Sequence, residues 1–377
     1  MSMVAFRPPL AYATNYPEPH ISATPDYCHW APWGESIEQH SQFTKDSYFT
    51  KNGRSALGYI IREFGLTSDS RVLLPEFHCP AMIEPFLASN VKVSFYRLND
   101  DLSVDVDALA QSTNSADAIL LVRFFGFPTN IKQALDIVKQ RNIRVIEDCA
   151  HAFFSEQLES DNYASDASFC SLNKFFSCFD GGMLRTKSEL TRSKLLALSG
   201  PSVKSEVKHF LGKSGVVSGL SKIFKLLKPS GTEVNGSVFN TKPKMSEFRY
   251  FNYADMNQRC FSTTRAQLRV ENFGHIVFCR RNNYATLFEA FTASNIGRPL
   301  FALDEQTVPY VFPFLLNDKG DFEYIRQSGI QVLRWEEYCI TENVVIEDYR
   351  ERLIQIPCHQ DLSQEQLMFI INTLNKN

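Results

Sequence analysis

Residues 118–151 read AILLVRFFGFPTNIKQALDIVKQRNIRVIEDCAH. An apolar run from Ala118 to Phe124 gives way to a helical stretch, Ile131 to Gln140, and then to a second short run, Ile143 to Ile146. Both runs are rich in β-branched or aromatic residues, as buried strands are, and a helix between two such strands is the crossover that parallel pairing requires. Upstream the pattern repeats. Ala56, Leu57, Ile60, Ile61 and Phe64 share one helix face, and further apolar runs stand at Arg71 to Leu74 and Val91 to Leu98. The expected fold class is therefore α/β, a mainly parallel sheet flanked by crossover helices.

In such sheets ligands bind at the carboxyl ends of the strands, so the residues just after each run are the ones to inspect. These are polar: PEFHCP follows Leu74, EDCAH follows Ile146 and CSLNK follows Phe169. Asp148 leaves a buried strand facing a ligand crevice, where a carboxylate wants a cation. Pyridoxal phosphate offers one in its protonated ring nitrogen. Capping of the next helix is the alternative role for Asp148. Lys174 lies among Phe169, Phe175, Phe176 and Phe179. Desolvation there would lower its pKa and make its amine a nucleophile and base, whereas a surface lysine would do neither. KNGRSAL offers a phosphate its donors, with Gly53 allowing close approach and Arg54, Ser55 and the following amides at a helix N-terminus. Ser171 adds a hydroxyl. Neither GxGxxG nor GxxxxGK[ST] occurs, which removes the usual supports for nicotinamide or nucleoside-triphosphate binding.

The order of these pieces, GRSAL, VLLPEFHCP, RFFGFP, VIEDCAH, then SLNKFFSCFDGG, resembles the DegT/DnrJ/EryC1/StrS family of pyridoxal-phosphate-dependent sugar aminotransferases, over roughly residues 50–370. NYADMNQRCFSTTRAQL with CRRNN, and IPCHQDLSQEQL, fit its later segments. The resemblance implies a fold-type I transferase, a homodimer with shared active sites, glutamate as donor and nucleotide-linked keto-sugars as acceptors in polysaccharide biosynthesis. It implies Lys174 as the Schiff-base lysine, Asp148 as the pyridinium partner and His151 beside the ring. Gly53, Arg54, Ser55 and Ser171 fall on the phosphate side, and Asn252 matches a phosphate contact to the other subunit, with Asn257 as its rival. Arg334 and Trp335 match a region that reaches toward substrate; packing for Trp335 and pairing of Arg334 with Glu336 or Glu337 is the other reading. Cys79 departs from the family by standing where an aromatic residue usually stacks on the ring, which leaves Phe77 or another group to do so. The short Ser171–Lys174 spacing makes Ser168 a rival phosphate ligand. Two other activities stay open: a dehydratase of the same fold, whose branch replaces the lysine with histidine, and a silent sugar-nucleotide-binding relative.

A chain of 377 residues, 44% hydrophobic, is expected to form two domains. These are a large one over 1–245 and a smaller C-terminal α/β one over 246–377, whose last helix opens on a capping box of Ser363 and Gln366. The lysine-bearing segment 203–228 reads as a connector or insertion with a solvated surface. A formal charge of −3 supplies no basic field for nucleic acid. Nine cysteines, an odd number without a CxxC pair, imply reduced thiols in the cytoplasm and no zinc site. The start, MSMVAFRPPLAYATNY, is no signal peptide, and no segment approaches the ~18 apolar residues of a membrane span.

Overall fold

A computed structural model of the chain describes residues 6–12, 15–26, 47–154, 165–213, 248–337, 339 and 343–375. Seven strands form the main sheet: β1 (Ser47–Thr50), β2 (Arg71–Pro75), β3 (Lys92–Tyr96), β4 (Ala118–Val122), β5 (Arg144–Asp148), β6 (Ala167–Ser171) and β7 (Gly182–Thr186), in the order β1-β7-β6-β5-β4-β2-β3. Strands β3, β2, β4, β5 and β6 pair in parallel, while β7 is antiparallel to both β6 and β1. Every residue of β4 is buried, because helices cover both faces. That is why its sequence runs apolar without alternation.

Two expected runs are divided differently. The second run continues beyond Ile146 to Asp148, so the carboxylate is the last residue of β5 rather than a loop residue. The first run stops at Val122, and Phe124–Gly126 forms a tight turn in which Phe125 has φ 58°. Gly126 follows at φ 101°, and a Cβ there would meet the Val308 carbonyl at 2.8 Å, so only glycine fits. This turn brings the Phe125 carbonyl to the Tyr310 N–H at 2.9 Å.

A second sheet, β8 (Gly297–Pro299), β9 (Phe312–Leu316) and β10 (Leu353–Ile356), is antiparallel in the order β10-β9-β8. The 19-residue helix Phe273–Phe291 precedes it. The helix Gln364–Leu374 closes the chain on the expected Ser363–Gln366 capping box. N-terminal residues lie on this part, with Ile21 bridging to Ile330 and Phe6 to Cys339. The first half of the lysine-bearing segment is a helix, Val203–Lys213, held by Glu206, whose carboxylate accepts from the Ser262 N–H and hydroxyl at 2.9 Å. Its remainder, 214–228, and the expected boundary at 245/246 lie outside the described residues.

Candidate active site

The carboxyl ends of β5 and β6 and the start of the helix Gly53–Glu63 converge on a cleft of about 380 Å³. Close packing makes the convergence possible. A Cβ on Gly53 would sit 3.3 Å from the Cys170 carbonyl, and one on Gly182 would meet the Asn52 backbone at 2.3 Å. The helix N-terminus is thereby pressed against β6 and β7 with its first amides turned to the cleft. Asn52 caps it, its Oδ1 accepting from the Ser55 N–H at 2.9 Å and the Ser55 hydroxyl at 3.1 Å.

Gly53, Arg54, Asp148, Ser171 and Lys174 line the cleft. Ser55, His151, Asn252, Arg334 and Trp335 do not. Ser55 is 1% exposed and its hydroxyl is committed to the cap, so it acts on the site through the helix start. Asn252 is exposed and caps the turn Tyr253–Asn257 by accepting from the Ala254 N–H; Asn257 is also exposed and accepts from the Ser199 hydroxyl through its carbonyl. Within one chain neither asparagine reaches the cleft. Arg334 pairs with Glu336 at 2.6 Å, and the Trp335 ring stacks on Phe77 at 4.7 Å. Phe77 is therefore turned into an aromatic cluster and does not replace the missing stacking residue. Cys79, Ala81 and Met82 form that wall.

Asp148 is 6% exposed, and burial pushes its pKa up while the charge of Lys174 pulls it back down. Its Oδ1 accepts from the Ala150 N–H at 2.8 Å, a local cap. Lys174 ends the turn Leu172–Lys174, where desolvation pushes its pKa below that of a free lysine. Cys79, Asp148 and Arg54 are the charged or titratable groups nearest to it in effect. Phe175 and Phe176 are fully buried beneath Lys174, but Phe179 is 66% exposed at the cleft mouth and desolvates less than its position in the sequence implied. His151 is held neutral by burial, its pKa well below the ordinary value. Its Nδ1 accepts from the Phe125 N–H at 3.2 Å, so the ring proton sits on Nε2. The ring is stacked between Phe125 at 5.6 Å and Tyr310 at 4.6 Å.

Strand alternation separates this site from a structural cluster on the other side of the sheet. Phe169 and Ser171 line the cleft, whereas Ser168 is fully buried in register with Glu147 and Arg185. Ser168 is thus removed as a rival to Ser171. Sequence reasoning missed Lys51, which lines the cleft 3.9 Å from Asp180 and 4.5 Å from the Phe261 ring centre. It also missed Tyr310, whose ring centre lies 5.3 Å from Lys174 Nζ. Lys51 is the first residue of the quoted KNGRSAL motif and was legible there; no local signal marks Tyr310.

The residues present suit a pyridoxal phosphate. The Arg54 Nε is buried with no hydrogen-bond partner among the described residues, the glycine at the helix start leaves room for an anion, and a buried carboxylate and an amine face the same space. Among the described residues, no group of three or more His, Cys, Asp or Glu could hold a metal ion. Nor is any described helix long and apolar enough to cross a membrane.

Comparison with known proteins places the chain. Over 155 residues it is 28% identical to the GDP-perosamine synthase of Escherichia coli O157:H7, a match covering 40% of this chain and 42% of that protein. To the dTDP-4-amino-4,6-dideoxy-D-glucose transaminase of Shigella dysenteriae it is 22% identical, with 70% of this chain and 67% of the relative covered. Among solved structures it superposes on AtS13 from Actinomadura melliaura with a TM-score of 0.64 at 15% identity, covering 96% of this chain and 98% of the other. Helicobacter pylori PseC, an aminotransferase of pseudoaminic acid biosynthesis, gives 0.63 at 16% identity over 95% and 98% of the two chains. These likenesses establish the shared fold, that of the fold-type I aminotransferases. The model of the DegT/DnrJ/EryC1/StrS aminotransferase family matches residues 36–227, half of the sequence, and the chain belongs to that family.

Proposed function

We propose that this chain is a pyridoxal-phosphate-dependent aminotransferase that moves an amino group from an amino acid, glutamate by preference, to a nucleotide-linked keto-sugar. The observation that carries this reading is the pairing of a desolvated amine, Lys174, with a buried carboxylate, Asp148, across one cleft floored by a helix N-terminus. The names of the two curated relatives, a GDP-sugar synthase and a dTDP-sugar transaminase, support a nucleotide sugar as acceptor.

The cofactor, when bound, supplies an electron sink for the carbanion character that develops at the donor's α-carbon. The chain's own residues do the rest. Burial keeps part of the Lys174 amine uncharged, fit to attack a carbonyl and then to take and return the α-carbon proton. Asp148 would accept a hydrogen bond from the protonated ring nitrogen, and that cation keeps the buried carboxylate ionised. The Gly53 and Arg54 amides at the helix start, the Arg54 side chain and Ser171 would hold the phosphate, with Ser55 engaged by the Asn52 cap. His151, with its proton on Nε2, would serve as a neutral donor toward the cofactor from behind the residues that line the cleft.

Asn252 belongs in this reading to the partner's site. The homodimer it requires is supported by the exposed apolar residues Phe179 at the cleft mouth and Val203, Val207 and Phe210 along one helix. Cytoplasmic location and the division at 245/246 complete the proposal. Arg334, engaged with Glu336, would contact substrate only after exchanging that partner.

The test is an absorption spectrum of the purified protein with pyridoxal phosphate, before and after glutamate, repeated for Lys174→Ala. A visible band that glutamate bleaches and the variant lacks is expected. A band indifferent to Lys174, or none, overturns the reading.

A further inference from the structure

Behind the cleft wall lies a cation with a different set of partners. Arg280, on the helix Phe273–Phe291, is fully buried. Its Nε donates to Gln360 Oε1 at 3.0 Å. One terminal nitrogen donates to the carbonyls of Pro309 at 3.2 Å and Tyr310 at 2.8 Å, and the other to the carbonyl of Lys174 at 3.0 Å. The guanidinium lies 4.6 Å over the Phe175 ring, and Gln360 Nε2 donates to the Phe175 carbonyl at 2.8 Å.

Taking a guanidinium out of water costs several kcal/mol, and these neutral oxygens offset less of that cost than a carboxylate would. The choice of oxygens is therefore informative. Two of them belong to the residues that define the amine's surroundings: Lys174 itself, and Tyr310, whose ring faces Lys174 Nζ at 5.3 Å and stacks on His151 at 4.6 Å. These residues come from the end of β6 and the start of β9, in different sheets, and the planar fork of one arginine spans both.

We infer that Arg280 is a positioning residue for Lys174, tying the lysine's backbone and the Tyr310 ring into one rigid unit that aims the amine into the cleft. Its purpose rests on the reading of Lys174 as the reactive amine, but its geometry can be tested without cofactor. Arg280→Lys keeps the charge and loses the fork. Gln360→Ala removes the Nε acceptor and the Phe175 contact. Neither alters Cys79, Asp148, Arg54 or Cys170, the groups whose charge acts on the amine.

The experiment is competitive acylation of the full, cofactor-free chain across pH, read by peptide mass spectrometry at Lys174, with exposed Lys92 as reference. A released amine reaches water, so its labelling midpoint should rise by about one pH unit in Arg280→Lys and by less in Gln360→Ala, with Lys92 unmoved. A midpoint unchanged in a cooperatively folded Arg280→Lys overturns the inference and leaves Arg280 a packing residue. Should that variant fail to fold, Gln360→Ala decides by the same readout: a raised midpoint supports the unit and an unchanged one overturns it. Loss of the Lys174-dependent band in the unaltered protein would sink the proposed function instead and leave this result standing.

Discussion

Glu147 and Asp148 are neighbours on β5, both buried, yet they serve opposite faces of the sheet. Glu147 is paired with Arg123 at 3.1 Å and has no exposure, while Asp148 faces an open cleft and a desolvated lysine. The first carboxylate is held within the fold by its ion pair through Oε2, while its Oε1 is buried without a hydrogen-bond partner among the described residues. The second is left in a place where burial disfavours its charge until a cation arrives, which is how a binding site differs from a core ion pair. One step of strand alternation separates the two roles.

The comparison breaks most sharply at the cleft. Lys174→Ala should lower transamination by about 10⁴-fold or more, and Asp148→Asn by about 10²- to 10³-fold, in a glutamate half-reaction assay, with cooperative unfolding preserved in both. Equal loss of folding would deny the cleft its special status. On the other face Glu147→Ala strands the Arg123 guanidinium and should cost about 3–5 kcal/mol in urea unfolding, with the visible band per folded molecule unchanged.

His78 and Cys79 repeat the contrast. Cys79 lines the cleft, while His78 is fully buried, its Nδ1 donating to the Pro75 carbonyl at 2.9 Å and its Nε2 accepting from the Cys339 N–H at 3.0 Å. Burial lowers the His78 pKa from 6.5 to about 4. The unfolded chain binds more protons between these values, so stability present above pH 6.5 is lost as pH falls toward 4, by about 3 kcal/mol. His78→Gln should flatten that part of the pH–stability curve, leaving a share to His359, whose pKa is also lowered to about 4. An unchanged slope would mean that other groups carry it. The smallest expected effect is on β6, where Ser171→Ala should weaken pyridoxal phosphate binding about tenfold by fluorescence titration, whereas Ser168→Ala, on the far face, should leave it unaltered.

Much of this was legible in the chain itself. The βαβ pattern of residues 118–151 fixed the sheet type, since short continuous apolar runs on either side of a period-3.6 stretch have few other ways to bury themselves. Position at a strand end singled out Asp148, and aromatic surroundings singled out Lys174. The limits lay where local patterns have two outcomes. Phe179 shares its neighbourhood with Phe175 and Phe176 yet points to solvent. Arg334 and Trp335 could have reached a substrate, but Glu336 and Phe77 engage them.

By itself, then, the sequence determined the α/β architecture and the family and singled out Asp148 and Lys174 as candidates for the chemistry, because periodicity, strand-end position and ordered motifs are local properties. Only the tertiary structure decided that Ser55 is held by the Asn52 cap instead of facing the cleft, that Ser171 and not Ser168 lines it, and that Tyr310 and Arg280 surround Lys174. The last of these depends on contacts between segments more than a hundred residues apart, and the direction of a guanidinium or a ring across such a gap is set by packing that no local pattern encodes.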